Sequence, residues 1–434
     1  MTHVSQLEAS VAELTAATRQ FSELCPTAHR STTPYEVSPE AWRLQRTAFA
    51  SLAKIQRALA GPDDLLQTLT VQTQLLACLQ WLGEFQVLAC IPLNDSVSVQ
   101  DVADLAGVPE PELIRMIRMT ATAGFLEELQ PGWVHHTALS ALFVTRPGYL
   151  DAVMFLAGTI MPAALKMPMA TYRLEDMGMT HQAAYNVASN SPISFASDCD
   201  RLPKLQRQWA AYVQYGTGDM LDRATDMLTC LEPLAGSTAK VVETGARSTK
   251  RAAVLASQYP SLHFVVQMSR AAFKPSSRRG PNPWNGGVAA AVPTQEREPG
   301  MQQPVTDAAV YLVHLPALVP AAAAAASLRT VVVKELRAHL GVLRADPTAL
   351  LVLLPHFVLP DLAGAEEDQR DEEPHARARD LSLLQLANEK GLELSELLKL
   401  VAGVGDGAGH LVIIRRVRGP FSGALAIEVR YQAY

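Results

Sequence analysis

Cysteine is scarce in this 434-residue chain, and the five present, Cys25, Cys78, Cys90, Cys199 and Cys230, are scattered and odd in number. No CxxC pair and no Cys/His group stands at zinc spacing. A disulfide framework and a structural metal site are therefore not expected, and the thiols read as free in a reducing compartment. Charge is also thin. Charged residues make up 18%, the net charge is −6 and the pI is about 6.0. That balance argues against broad electrostatic binding to DNA or to an anionic membrane. The N-terminal MTHVSQLEASVAEL has no apolar run of signal-peptide length. The longest apolar-rich stretch, Ala317 to Ser327, is mostly alanine, contains Pro320 and is too short to span a bilayer. No basic nuclear-import run is evident; Arg278-Arg279 alone is too short. A soluble intracellular protein is the expectation. A hydrolase elbow, Gly-x-Ser-x-Gly, is missing, and SPISF and SDCD near 191–200 supply no nucleophile. His135 and His136 are neighbours on an expected strand, so they face opposite ways and read as structural.

Apolar residues, by contrast, reach 48%, enough for a sizeable core. Residues 4–24 place Val4, Leu7, Val11, Leu14 and Phe21 at helical spacing, and 40–60 form a second amphipathic helix ended by Gly61 and Pro62. A strongly apolar stretch covers 64–90. Ser98 or Asp101 then precedes a short helix, Val102 to Ala106. Gly107 allows a sharp turn, and Pro109 and Pro111 open a second helix to about Ala123. FLEEL and WVHHT, joined at Gln130-Pro131-Gly132, make a hairpin. Helix, turn, helix and wing together predict a winged helix. Residues 148–232 read as helical, and from 240 short strands alternate with helices up to a closing hairpin. That alternation predicts a mostly parallel sheet covered on both faces. The expected organisation is 1–65 as N-terminal helices, 66–147 as the winged-helix domain, 148–235 as a helical connector and 236–434 as a Rossmann-like α/β domain. Residues 271–306 and the acidic run 363–378 read as surface loops, the latter with an interaction role as the alternative.

This order of parts resembles the plant- and fungal-type O-methyltransferases from about residue 40 to the end. A narrower resemblance rests on QLLACLQWLGEFQVLACIPL (74–93), DVADLAGVPE (101–110), ATAGFLEELQPGWVHHT (121–137) and RLPKLQRQW (201–209). These strings are similar to the methyltransferase-like transcriptional coactivators of fungal aromatic polyketide clusters, the aflatoxin-cluster coactivator and its anthraquinone-cluster relatives. The resemblance implies an O-methyltransferase-like α/β fold with an all-α/winged-helix N-terminal part. It implies a homodimer built on the N-terminal helices, the winged helix and the helix around Leu75 to Val87. It also implies a partner, the binuclear zinc-cluster (Zn2Cys6) transcription factor of the same cluster, and a location in the nucleus, with the cytoplasm as a second place. Direct reading of DNA is not expected, because the helix EPELIRMIRMTATAG sets Glu110 and Glu112 against Arg115 and Arg118. Leu113, Ile114, Ile117 and Met119 read as core or dimer-facing. The alternative role is an enzyme acting on a polyketide intermediate, either an O-methyltransferase or a cyclase or pericyclase.

The resemblance also says where a cofactor and a base would stand. The family pattern, an acid and any residue before Gly-Gly-Gly-any-Gly, falls on Glu243, Thr244, Gly245, Ala246, Arg247, Ser248 and Thr249. One glycine of four remains, and glycine is what lets backbone approach a ligand closely. Arg247 puts a long side chain where cofactor would come. It reads as part of an empty or repurposed loop, or as a grip on a different anion. The ribose-binding acid is replaced by Met268, with Gln267 beside it. The histidine base, eight residues after Val310, falls on Leu318, and His314 reads as a surface or packing residue. The acid that orients the base falls on Gly391, next to Leu392 and near Glu389 and Glu393. No cofactor, no metal and no catalytic residue are therefore expected.

Overall fold

Ser98, Gly107 and the prolines that follow decide the local structure of the first half of the chain. In the computed structural model, the described residues are 3–25, 38–177, 183–217, 228–234, 236–246, 248–270, 292–315, 328–355, 358–359, 373–418 and 425–434. They form two units, Met1–Lys166 with Leu202–Gly216, and Met167–Arg201 with Thr217–Tyr434. The stretch read as a connector thus contributes to both.

The first unit opens with helices α1 (His3–Leu24) and α2 (Pro39–Leu59), which pack on each other through Ala17, Ala41 and Trp42, all buried. Glu13 accepts from the buried Ser51 hydroxyl at 2.7 Å and lies 3.6 Å from Lys54 Nζ. Helix α3 (Pro62–Glu84) is capped at Gly61, whose N–H donates to the Asp64 carboxylate at 2.8 Å. Its residues 62–74 are all exposed; only from Leu75 onward does it enter the core, with Cys78 and Leu82 buried. After α4 (Val87–Cys90) comes β1 (Val97–Ser98), then α5 (Val99–Ala106), α6 (Glu110–Ala121), β2 (Leu126–Gln130) and β3 (Trp133–His136). Ser98 Oγ accepts from Asp101 N at 3.1 Å and starts α5. Gly107, at φ +66°, ends it, its N–H donating to Ala103 O. The three strands form one antiparallel sheet in the order β1-β3-β2. Val99, Val102, Leu113, Ile117, Phe125, Leu126 and Val134 fill the core below it. Each fully buried Leu or Ile stabilises by about 1.5–3 kcal/mol. Leu113 and Ile117 are core, fully buried within the unit.

Helix Gly148–Phe155 runs through a π-helical turn, Leu156–Ile160, into Met161–Leu165. Its 18 residues, of mean hydropathy 1.4, are long and apolar enough to cross a membrane by length and composition. The apolar-rich stretch Ala317–Ser327 lies outside the described residues, and the longest apolar helical run among them is this one. It packs beside Pro203–Ala211. Phe155 lies 5.4 Å from Trp209 and 5.2 Å from Tyr212, ring to ring, and Asp151 takes two hydrogen bonds from Arg207 at 2.7 and 3.1 Å.

The second unit is built on a mixed sheet of eight strands. Parallel strands β4 (Lys240–Thr244), β5 (His263–Met268), β6 (Thr294–Glu296), β7 (Val310–Leu315) and β8 (Leu350–Pro355) are joined by the antiparallel β11 (Gly405–Asp406), β12 (Gly409–Arg418) and β13 (Leu425–Ala433). The order is β11-β12-β13-β8-β7-β4-β5-β6. A separate two-stranded pair joins β9 (Val358–Leu359) and β10 (Leu392–Glu393). The runs VYLVHL and LLVLLP are buried along their whole length, as strands covered on both faces must be. Two loop expectations need correction. The stretch 271–306 contains strand β6, which extends the sheet, and the buried side chains Arg297 and Gln303. The end of the acidic run is helical, since helix Glu373–Ala387 begins inside it; residues 363–372 lie outside the described residues.

Candidate functional site

Strand β4 delivers Glu243 and Thr244 to opposite faces of the sheet, and each is buried in a polar cluster. Glu243 is 2% exposed. Its Oε1 stands 2.8 Å from His314 Nε2 and 3.9 Å from Arg251 Nε. Arg251 Nη1 is 3.5 Å from the same histidine nitrogen. Carboxylate, imidazole and guanidinium come from three elements, β4, the end of β7 and the first turn of helix Lys250–Gln258. His314 is therefore neither a surface residue nor a filler. It is a buried partner of Glu243, the acid at the head of the loop 243–249. Glu243 Oε2 is buried without a hydrogen-bond partner among the described residues.

The loop itself turns back into the protein. Gly245 has φ +74°, a conformation that L side chains rarely adopt. A Cβ placed there would sit 3.0 Å from the His314 carbonyl oxygen. The one glycine that remains is thus required by its neighbour strand, with no ligand needed to explain it. The amides of Gly245 and Ala246 both donate to Gln267 O, at 3.0 and 3.3 Å. In a ligand-binding loop such N–H groups face the ligand. Ala246 is buried, and Thr249 is the N-cap residue of the next helix without a side-chain cap bond. Arg247 lies outside the described residues.

On the other face, Thr244 Oγ1 donates to Gln267 Oε1 at 2.9 Å, and Gln267 Nε2 donates to Gln303 Oε1 at 2.8 Å. Gln303 Nε2 lies 2.9 Å from Gln267 Oε1 and 3.1 Å from His339 Nε2. His339 Nδ1 faces Glu335 O at 2.9 Å, which fixes the tautomer: Nδ1 carries the proton and Nε2 accepts. Burial holds the His339 pKa below the ordinary histidine value, so the ring is neutral. Glu335 also meets the buried Arg297, whose Nη1 donates to its Oε1 at 2.7 Å. Met268, where the resemblance puts the ribose acid, is buried, and its carbonyl accepts from Arg297 N at 2.9 Å. Its thioether is no substitute for a carboxylate that takes two hydroxyl donors.

The positions expected for a base and its orienting acid are Leu318 and Gly391. Leu318 lies outside the described residues. Gly391 donates its N–H to Asp380 Oδ1 at 2.8 Å, and an added Cβ would approach that oxygen to 3.0 Å, so a larger residue there would have to displace the Asp380 carboxylate. Of the nearby acids, Glu389 has its pKa raised by burial, and Glu393 pairs with Lys390 at 3.2 Å. Among the described residues no group of histidine, cysteine or carboxylate side chains is placed to hold a metal ion. The sequence reading missed Arg251, Arg297, Gln303, Glu335 and His339. A signal existed for three of them. Arg251 stands four residues before the buried Leu255, and Glu335 and His339 share the buried face of helix Leu328–Ala345 with Leu336, Leu340 and Leu343.

No family model matches the chain. Its full length is 44% identical to the monodictyphenone cluster transcriptional coactivator of Emericella nidulans, covering 99% of that protein. It is equally 44% identical to the agnestins biosynthesis cluster transcriptional coactivator of Paecilomyces divaricatus, again over all of this chain and 99% of the relative. The trypacidin cluster transcriptional coactivator of Aspergillus fumigatus is 42% identical over all of this chain and 98% of its own. Among solved structures, LepI in complex with SAM superposes with a TM-score of 0.68 at 13% identity, over 97% of this chain and 100% of that one. OxaC in complex with SAH and oxaline gives 0.64 at 17%, over 99% and 100%. These two show the fold, an O-methyltransferase-like α/β architecture. The chain belongs to the O-methyltransferase-like transcriptional coactivators of fungal polyketide gene clusters.

Proposed function

We propose that this protein is a non-catalytic coactivator that associates with the zinc-cluster transcription factor of its own gene cluster and supports expression of a polyketide pathway. The observation that carries this reading is the end-to-end similarity to proteins named for that role. The loop amides of Gly245 and Ala246 turned onto Gln267 O, the His314 ring paired with Glu243 and the glycine at position 391 support it, because methyl transfer needs a ligand-facing loop, a free base and an orienting acid. The protein acts in the nucleus. Residues 97–136 form a winged helix that does not read DNA: Arg118 is held in a bidentate pair with Glu128 at 2.9 and 3.1 Å, which leaves few cations for phosphate. The exposed Leu65, Leu66, Leu69 and Val71 of α3 suit a homodimer seam. Co-precipitation of the full chain with the cluster's activator, expressed together, tests the association; no complex at micromolar concentrations refutes it. The second reading, an enzyme that methylates or cyclises a polyketide intermediate, is favoured only by the fold shared with OxaC and LepI. Product formation by purified protein would establish it.

A further inference from the structure

Basic side chains are missing from one surface of the first unit. Between Arg57 and Arg115 the sequence has no lysine or arginine, and none between Arg118 and Arg146. In the helix-turn-helix and hairpin, Asp95, Asp101, Asp104, Glu110 and Glu112 are exposed against Arg115 and Arg118, and Arg118 is already paired with Glu128. Within this acidic field stand three exposed apolar side chains: Leu105 at 70%, Leu129 at 59% and Trp133 at 41%. Their placement is specific. Trp133 faces Ser98 across the β1–β3 ladder, and Ser98 Oγ bonds Asp101 at 2.6 Å. Asp101 and Leu105 are four residues apart on one face of α5. Leu129 is the extra residue where the β2–β3 register shifts between Glu128 and Gln130, next to Gln130, the partner of Trp133. An exposed indole and exposed aliphatic side chains on neighbouring elements, bordered by charges mostly of one sign, have the make-up of a protein-binding hot spot.

We infer that the surface of Leu105, Leu129 and Trp133, flanked by Asp101 and Asp104, docks a cationic amphipathic segment of a partner protein. Charge complementarity selects the occupant: nucleic acid and anionic membrane are repelled, and a basic helix places its apolar stripe on Trp133 and its lysines or arginines against the aspartates. DNA-binding proteins carry such segments because they must meet phosphate. The inference rests on the coactivator reading for its biological partner but not for its chemistry.

The test is fluorescence anisotropy of the full chain with a labelled 18-residue helical peptide of Leu and Lys at amphipathic spacing. A scrambled peptide of the same composition is the control. The amphipathic peptide is expected to bind at least tenfold more tightly than the scrambled one. The double variant L105A/W133A is expected to lose at least tenfold in affinity. D101N/D104N is expected to weaken binding and flatten its salt dependence. All these side chains are exposed, so unchanged melting curves will show the variants folded. Equal binding of the scrambled peptide, or unchanged affinity in L105A/W133A, overturns the proposal. So does dissociation of a dimer by L105A/W133A, which would make a second copy the occupant. The coactivator reading fails separately, through unchanged cluster transcripts in a deletion strain, whatever the peptide does.

Discussion

Replacing Arg297 by methionine removes one half of a buried ion pair and leaves the other half behind. Arg297 and Glu335 have side-chain exposures of 2% and 4% and meet at 2.7 Å. Glu335 keeps the Gly300 N–H as a donor, and Arg297 gives up its bond to Met301 O. Breaking a buried pair from one side costs about 3–5 kcal/mol, because an uncompensated charge stays in low dielectric. In a domain of roughly 150–250 residues each kcal/mol lowers Tm by about 2–4 °C. R297M is therefore expected to melt roughly 6–20 °C below the parent, followed by circular dichroism on the full chain. The double variant R297M/E335M removes both charges and is expected to regain at least half of that loss. The pair matters to the site because it pins the segment that carries Gln303 into contact with Thr244 and Gln267. A shift under 2 °C in R297M, or a double variant that loses the sum of the two single effects, refutes the reasoning.

Three other perturbations have definite outcomes. His136 and His339 are both held neutral by burial, with pKa values below the usual 6.5. The unfolded chain therefore takes up protons first, so these two residues make unfolding free energy fall as pH drops through about 6.5; a pH titration in urea in which stability rises on acidification from neutral pH contradicts this. G245A forces a left-handed backbone and a 3.0 Å contact with His314 O. It should cost about 1–2 kcal/mol in denaturant midpoint terms, and a neutral result would mean the loop is looser than described. L65S/L69S alters only exposed positions of α3; light scattering is expected to find a dimer for the parent and a monomer for the variant, with helical content unchanged, and a dimer that persists in the variant would place the seam elsewhere.

Local chemistry made half of this molecule readable in advance. Gly107, Gly124 and Gly132 each occupy a positive φ, so the glycines that marked turns in the sequence mark them in the structure. The β7 and β8 runs were legible because burial on both faces demands unbroken apolar sequence. Strand β6 was hidden, since TQE is polar and short and takes its structure from pairing with β5. The polar clusters were hidden for a different reason. His314 is 71 residues from Glu243, and Gln303 lies 36 from both Gln267 and His339, so no local period records their contacts. The single glycine of the 243–249 loop and Met268 at the end of β5 were visible in the sequence. Their surroundings were not, because a buried arginine on a helix face looks like a surface one until the strand beneath it is known.

Transcript levels of the neighbouring pathway genes, in a strain lacking this gene and keeping its activator, test the central claim most directly. A broad fall across the cluster, restored by the intact gene, is the predicted result. Unchanged transcripts with an accumulating pathway intermediate would contradict the account and return the protein to the enzymes.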